Sequence, residues 1–166
     1  MTFCPLYCKF GVELALTSAQ MSAKAGVTEV TLESTLGSVD VAENIAHRIS
    51  ISVGFDEEDQ HKIEMAVHES VINAVAHGNK HDPRKKVWLR FQVHEDRLEI
   101  RVRDEGSGFD LDRVADPLAA GNLLKVSGRG IFLIRAFMDE FRVEKIPGSG
   151  TEVTLVKRLN SKMQHA

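Results

Sequence analysis

A chain of 166 residues with 43% hydrophobic content can bury one sizeable core but is short for two domains, so it reads as a single soluble domain. Its 21 basic and 24 acidic residues leave a formal charge of -3 spread along the sequence, which gives no electrostatic footprint for nucleic acid or anionic lipid. No apolar run approaches the roughly 20 residues of a membrane helix and no signal-peptide pattern opens the chain, so the expected location is the cytoplasm. Cys4 and Cys8 are too few for a disulfide framework or a zinc site.

Residues 1–26 show neither a helical stripe nor a strand alternation and are expected to form a disordered extension. From Val27 onward, Val30 and Leu32 alternate with Glu29, Thr31 and Glu33, which predicts a short half-buried strand. Ser38 is placed to cap a helix in which Val41, Ala42, Ile45 and Ile49 fall at helical spacing, closed by Gly54. Asp56 caps the next helix, with Glu57, Glu58 and Asp59 in the first turn where the helix dipole favours negative charge. Its stripe of Ile63, Ala66, Val67, Val71, Ala74 and Val75 runs to His77-Gly78-Asn79, where Gly78 can supply a left-handed stop.

After Pro83, Val87, Leu89, Phe91 and Val93 and then Leu98, Ile100 and Val102 alternate about His94-Glu95-Asp96-Arg97, which predicts a β-hairpin. The stretch between Gly108 and Gly128 contains Pro117 and Gly121 with no sustained periodicity, and a loop of that length in a compact domain is read as a lid. Ile131, Ile134, Phe137 and Met138 give a third amphipathic helix. Phe141, Val143 and Ile146, a turn at Pro147-Gly148-Ser149-Gly150, and Val153 and Leu155 give a second hairpin. Helices segregated from strands predict an α+β fold over residues 27–160, a two-layer sandwich with a mixed, mostly antiparallel sheet and three helices on one face, followed by a tail at 161–166.

Three segments carry chemistry. Glu69, Asn73 and His77 stand at i, i+4 and i+8 beside the apolar stripe of the second helix, at a pocket rim if the helix is regular. An Asn oxygen is a hard neutral ligand suited to Mg²⁺, and a Glu one turn away can orient or deprotonate a nucleophile, although an isolated pair would read as a solvated helix edge. Asp104 ends a strand where the chain turns through Gly106 and Gly108. There a carboxylate can accept from an exocyclic amine such as that of adenine while the glycines admit a planar ring. Gly128-Arg129-Gly130 opens a helix, leaving backbone N–H groups for phosphate oxygens.

Competing motifs fail. Leu133 stands where a dinucleotide fingerprint needs a small residue, no Gly-Lys-Ser/Thr phosphate loop occurs, and Ile72 occupies the second His position of a zincin helix. Arg84-Lys85-Lys86 reads as a solvated hairpin edge.

The ordered set Glu69-x-x-x-Asn73, Asp104-x-Gly106-x-Gly108, Gly128-x-Gly130 and Gly150-Thr151 resembles the N box and glycine boxes of the Bergerat ATP-binding fold. That fold is shared by gyrase, the heat-shock chaperone, histidine kinases and the mismatch-repair ATPase. Within it, Glu69 to Gly78, Arg103-Asp104-Glu105-Gly106 and Phe137-Met138-Asp139 most resemble the bacterial anti-sigma-factor serine kinases, over roughly residues 28 to 158. The resemblance implies ATP and Mg²⁺ as cofactors, Asn73 on the metal, Asp104 on the adenine amine, and Glu69 as general base towards a protein serine. It places His77, Gly106, Gly108, Lys125, Gly128, Arg129, Gly130 and Thr151 around the nucleotide, with an ATP lid between Gly108 and Gly128. Its implied partners are a sigma factor, an anti-anti-sigma protein of STAS type and a second copy of the chain, with no direct nucleic acid and no membrane.

One position departs from the pattern: Val126 stands where sporulation-type relatives carry Arg, leaving Lys125 or Arg129 to substitute, and a Lys point charge is not an Arg fork. The alternative reading is a nucleotide-gated binding regulator without phosphotransfer. A detached histidine-kinase core is disfavoured because no helix with a phosphoacceptor histidine precedes the ATP domain.

Overall fold

The computed structural model describes residues 20–24, 26–107 and 129–160. In chain order these form β1 (Gln20–Lys24), β2 (Val27–Glu33), α1 (Gly37–Val53) and α2 (Glu57–Ile72), which continues into a π-helical segment (Asn73–Gly78). There follow β3 (Lys86–Val93), β4 (Arg97–Arg103), α3 (Arg129–Phe137), β5 (Glu140–Ile146) and β6 (Gly150–Arg158). The six strands make one sheet in the order β1-β2-β3-β4-β6-β5, and every neighbouring pair is antiparallel. The expected sandwich of helices on an antiparallel sheet is therefore present, but among the described strands no parallel pair makes the sheet mixed.

Strand alternation puts one face of this sheet against the helices. Val30, Leu89, Val102, Val153 and Val143 lie in register across five strands, and Phe91, Ile100, Leu155 and Phe141 form the adjoining row. Ala42, Ala46 and Ile49 of α1, Ile63, Ala66, Val67 and Val71 of α2, and Ile134 of α3 close over those rows as one core. The other face carries exposed or half-buried charges paired across strands, as Arg90 with Glu29 and Arg101 with Glu152, or along one strand, as Arg101 with Glu99. A sheet packed on one side and solvated on the other needs that alternation.

Lys157 breaks the apolar rule on the core face, opposite Leu98. Its Nζ lies 3.0 Å from Asp59 Oδ1 and donates to the Phe137 carbonyl at 3.0 Å, so one buried cation ties β6 to the first turn of α2 and the last turn of α3. Cations are favoured at helix C-termini, and a buried charge persists only when paired in this way.

Three local expectations are corrected. Ser38 is not the cap of α1: the helix begins one residue earlier, and the Ser38 hydroxyl donates back to the Glu33 carbonyl at 2.7 Å. Carbonyls of Thr35 and Leu36 already accept from Ser38 and Val39, leaving the hydroxyl no first-turn donor to serve. Gly78 does not stop α2 in a left-handed conformation. The positive φ angles fall on Lys80 (56°) and His81 (57°) instead. Finally, Gln20–Lys24 pairs antiparallel with β2, in the register Met21 to Val30, so the sheet begins inside the segment expected to be an extension. By contrast, Asp56 caps α2 as expected, accepting from the Asp59 N–H at 2.8 Å, and Gly54 closes α1 at φ 96°.

Candidate nucleotide site

The amphipathic stripe of α2 buries Ile63, Ala66, Val67 and Val71 and turns Glu69 and Asn73 to its half-buried edge. Up to Asn73 the helix is α-helical, so these two side chains sit one turn apart on one side. Beyond it the chain widens: the Asn79 N–H donates five residues back to the Ala74 carbonyl at 2.7 Å, and His81 N–H to Val75 at 2.9 Å. The extra residue in this turn changes the direction of everything after Ala74. His77 is exposed at the mouth of a cleft, and Gly78 is carried against the end of β4. Such π turns recur at functional sites because they re-aim side chains within an otherwise regular helix.

Asp104 follows β4 and is 6% exposed. Its Oδ1 accepts from the Gly106 N–H at 2.7 Å and the Thr151 N–H at 3.2 Å, while its own N–H donates to the Thr151 carbonyl at 3.0 Å. Desolvation raises the pKa of this carboxyl, against the pull of those two N–H groups and of Lys85. Three glycines make the arrangement possible. A Cβ on Gly78 would overlap the Asp104 carboxyl group, one on Gly106 would overlap the Gly78 carbonyl, and one on Gly150, at φ 100°, would overlap the Asp104 carbonyl.

These groups border one open cleft. Ser70, Asn73, Ala74, His77 and Gly78 form one side, Asp104 and Thr151 another. Ile131 and Ile134 of α3 and Val102, Val143 and Val153 of the sheet supply apolar walls for a planar ring. Thr151 Oγ1 is buried with no hydrogen-bond partner among the described residues, an orphaned polar atom beside Asp104 of the kind a ligand can satisfy. At the edge of the cleft a Cβ on Gly130 would run into Glu69 Oε2, so the first turn of α3 lies directly against the Glu69 carboxylate.

Of the residues singled out from the sequence, Asn73, His77, Asp104 and Thr151 line one cleft, Gly106 holds the Asp104 turn, and Glu69 and Gly130 meet beside it. Gly108, Lys125 and Gly128, with the lid and Val126, lie outside the described residues, as does the side chain of Arg129, which opens α3. Sequence reasoning missed the apolar walls from α3 and β5. It also gave no role to Asn79 and Glu105, which are joined by a 2.8 Å bond from the Glu105 N–H to Asn79 Oδ1. Within the basic run, Arg84 forks onto Asp82 through contacts of 3.0 and 2.8 Å, and that pairing pulls the Asp82 carboxyl down to about 2.

Residues 32–157 match the histidine kinase-like ATPase domain. The chain is 36% identical to the serine-protein kinase RsbW of Bacillus subtilis, over 68% of this chain and 72% of the relative. It is 37% identical to the anti-sigma F factor of Oceanobacillus iheyensis, over 60% and 69% respectively. RsbW of Listeria innocua is 31% identical over 69% of this chain and 75% of its own length. The domain match contains α1, α2, the π turn, the Asp104 turn and α3, so it spans every element that borders the cleft. The chain belongs to the histidine kinase-like ATPase family, in its branch of anti-sigma-factor serine kinases.

Proposed function

We propose that this cleft binds Mg-ATP and that the chain transfers the γ-phosphoryl group to a serine of an anti-anti-sigma protein, sequestering a sigma factor when that protein is absent or already phosphorylated. The observation that carries the reading is the pairing of Glu69 and Asn73 one turn apart on α2, beside a cleft that also holds a buried, backbone-fixed Asp104. With Oδ1 engaged by two N–H groups, Oδ2 is the edge of Asp104 offered to the adenine amine, next to Gly78. Asn73 offers one hard oxygen, and no group of three metal-ligating side chains gathers among the described residues. That fits an ion taking most of its oxygens from phosphates and water. Mg²⁺, when bound, neutralises phosphate charge.

Glu69 is the group assigned to accept the proton of the attacking serine hydroxyl. As the serine oxygen bonds to the γ-phosphorus, the bond to the β–γ bridging oxygen breaks and ADP leaves with that electron pair. The first turn of α3, with Gly130 pressed against Glu69, offers backbone N–H groups to phosphate oxygens, and Gly128, Arg129 and Lys125 would extend that cradle.

The names of the relatives, serine-protein kinase and anti-sigma F factor, support a sigma factor and a STAS-type anti-anti-sigma protein as partners. A homodimer in the cytoplasm completes the reading, and no helix of the described residues is long and apolar enough to cross a membrane. Partner choice follows nucleotide only if the ATP and ADP states differ in affinity for each partner. The test is capture of partners with ATP, ADP or no nucleotide, with mass spectrometry for phosphoserine. Sigma factor captured with ATP, and a phosphorylated anti-anti-sigma protein, are expected. The same partners in every state with no phosphoserine would reduce the chain to a constitutive binding module.

A further inference from the structure

Asn79 lies just past the π turn and is 1% exposed. Its Nδ2 donates to the Lys86 carbonyl at 2.9 Å, and its Oδ1 accepts the Glu105 N–H at 2.8 Å. Glu105 closes the circuit, because its Oε2 accepts the Lys86 N–H at 2.7 Å. Two side chains thus use both backbone groups of the first residue of β3 and the N–H of the residue after Asp104, in a ring of three bonds. A buried polar ring of this kind holds shape only when every member is satisfied.

We propose that Asn79 is a positioning residue for nucleotide recognition: together with Glu105 it fixes the Asp104-Glu105-Gly106 turn so that Asp104 selects adenine. This inference rests on the ATP reading above. Asp104 is held on its other side by Thr151, so the turn is clamped between β6 and the Asn79 ring, and its carboxylate has little freedom to retreat from a mismatched base. Only a side chain with a donor and an acceptor on one planar head can bridge Lys86 O and Glu105 N. Aspartate loses the donor and sets an oxygen against the Lys86 carbonyl, and alanine loses both bonds. The same ring commits the Glu105 carboxylate to a backbone N–H, which separates it from the chemistry of Glu69 despite its closeness to the cleft.

Affinity for ATP and for GTP, by titration on the full chain, tests this alongside thermal melting, KM and kcat for Asn79→Asp, Asn79→Ala, Glu105→Ala and Glu105→Gln. Asn79→Asp should raise the Kd and KM for ATP by about tenfold, the factor for one lost hydrogen bond of about 1.4 kcal/mol, and shrink the ATP-over-GTP preference, with kcat at saturating ATP changed far less. Glu105→Ala should move the same ratio in the same direction. Glu105→Gln, which keeps an oxygen for the Lys86 N–H, should restore it. If Asn79→Ala does not fold, the half-buried Glu105 pair still decides the matter. Variants that melt earlier yet keep the parental ATP-to-GTP ratio would overturn the positioning role while leaving ATP binding intact. A parent chain that binds neither nucleotide would instead overturn the reading on which this one stands.

Discussion

Replacing Asp104 by asparagine isolates the carboxylate edge that the adenine amine would meet. The amide oxygen can take the place of Oδ1 and keep the bonds from the Gly106 and Thr151 N–H groups, so the turn has no geometric reason to move. At the Oδ2 position the variant presents an NH₂ group, so a charged acceptor facing a donor becomes a donor facing a donor. The loss is one hydrogen bond to a charged group, about 1.5 to 3 kcal/mol, or roughly a 10- to 150-fold rise in Kd for ATP. Guanine offers a carbonyl where adenine offers an amine, so the variant should narrow the gap between ATP and GTP from both sides. Without nucleotide its melting temperature should hold or rise, because the carboxylate is buried and its desolvation opposes ionisation. The linkage follows the same sign. The folded carboxyl keeps its proton to higher pH than the unfolded chain, whose ordinary value is 3.8. Stability from this group is therefore present at low pH and lost as pH rises through the raised pKa, and Asp104→Asn removes that slope. ATP affinity should run the other way and weaken on acidification. Calorimetric titration with both nucleotides and melting across pH measure all of this; an asparagine variant that binds ATP as the parent does would refute the assignment.

Glu69→Gln should leave ATP affinity near parental and abolish phosphotransfer, since the amide keeps the shape but cannot take a proton, and normal serine phosphorylation by it would remove Glu69 as the base. Asn73→Ala should weaken nucleotide binding in Mg²⁺ and much less in its absence, as read by titration with and without chelator; an equal loss in both would deny it the metal. In Gly130→Ala the new methyl must push the Glu69 carboxylate aside, an adjustment a flexible side chain can make without unfolding. Transfer should therefore fall by about 100-fold with ATP binding retained, and an unchanged kcat would show that the contact does not govern the base. Deleting residues 1–25 removes β1 and uncovers β2 as a sheet edge, so the melting temperature should drop; an unchanged melt would show that this strand contributes nothing to the domain.

The fold was legible wherever a face of the chain is buried along its whole length. Val87, Leu89 and Phe91 against Leu98, Ile100 and Val102 specify both strand and register, because a slip of one residue would turn the apolar set to solvent. Gln20–Lys24 gives no such pattern, and its strand is defined by pairing with β2, which a local window cannot weigh. Ser38 misled for a related reason. Its type matches a cap, but two upstream carbonyls had already satisfied the first turn. Gly78 misled because glycine serves two ends, and the demand here is closeness to Asp104, across 26 residues of sequence, rather than a left-handed angle. The π turn has no local signal, since Asn73-Ala74-Val75-Ala76-His77 would suit an α-helix.

At the site, sequence boxes name residue types but cannot divide labour among acids that fold into one neighbourhood. Glu69, Asp104 and Glu105 all stand in motifs, and their spacing says nothing of which carboxylate is occupied. The divisions come from partners distant in the chain. Glu105 is taken by the Lys86 N–H, 19 positions earlier, and Asp104 by Thr151, 47 positions later. Glu69 has no hydrogen-bond partner among the described residues and meets the first turn of α3 through a glycine. Two acids are thereby fixed in shape by backbone groups, and the third lies against the first turn of α3. The proposed division follows that placement: recognition rests on the acids that backbone N–H groups hold at the Asp104 turn, and proton transfer on the one set against the helix proposed to meet the phosphates.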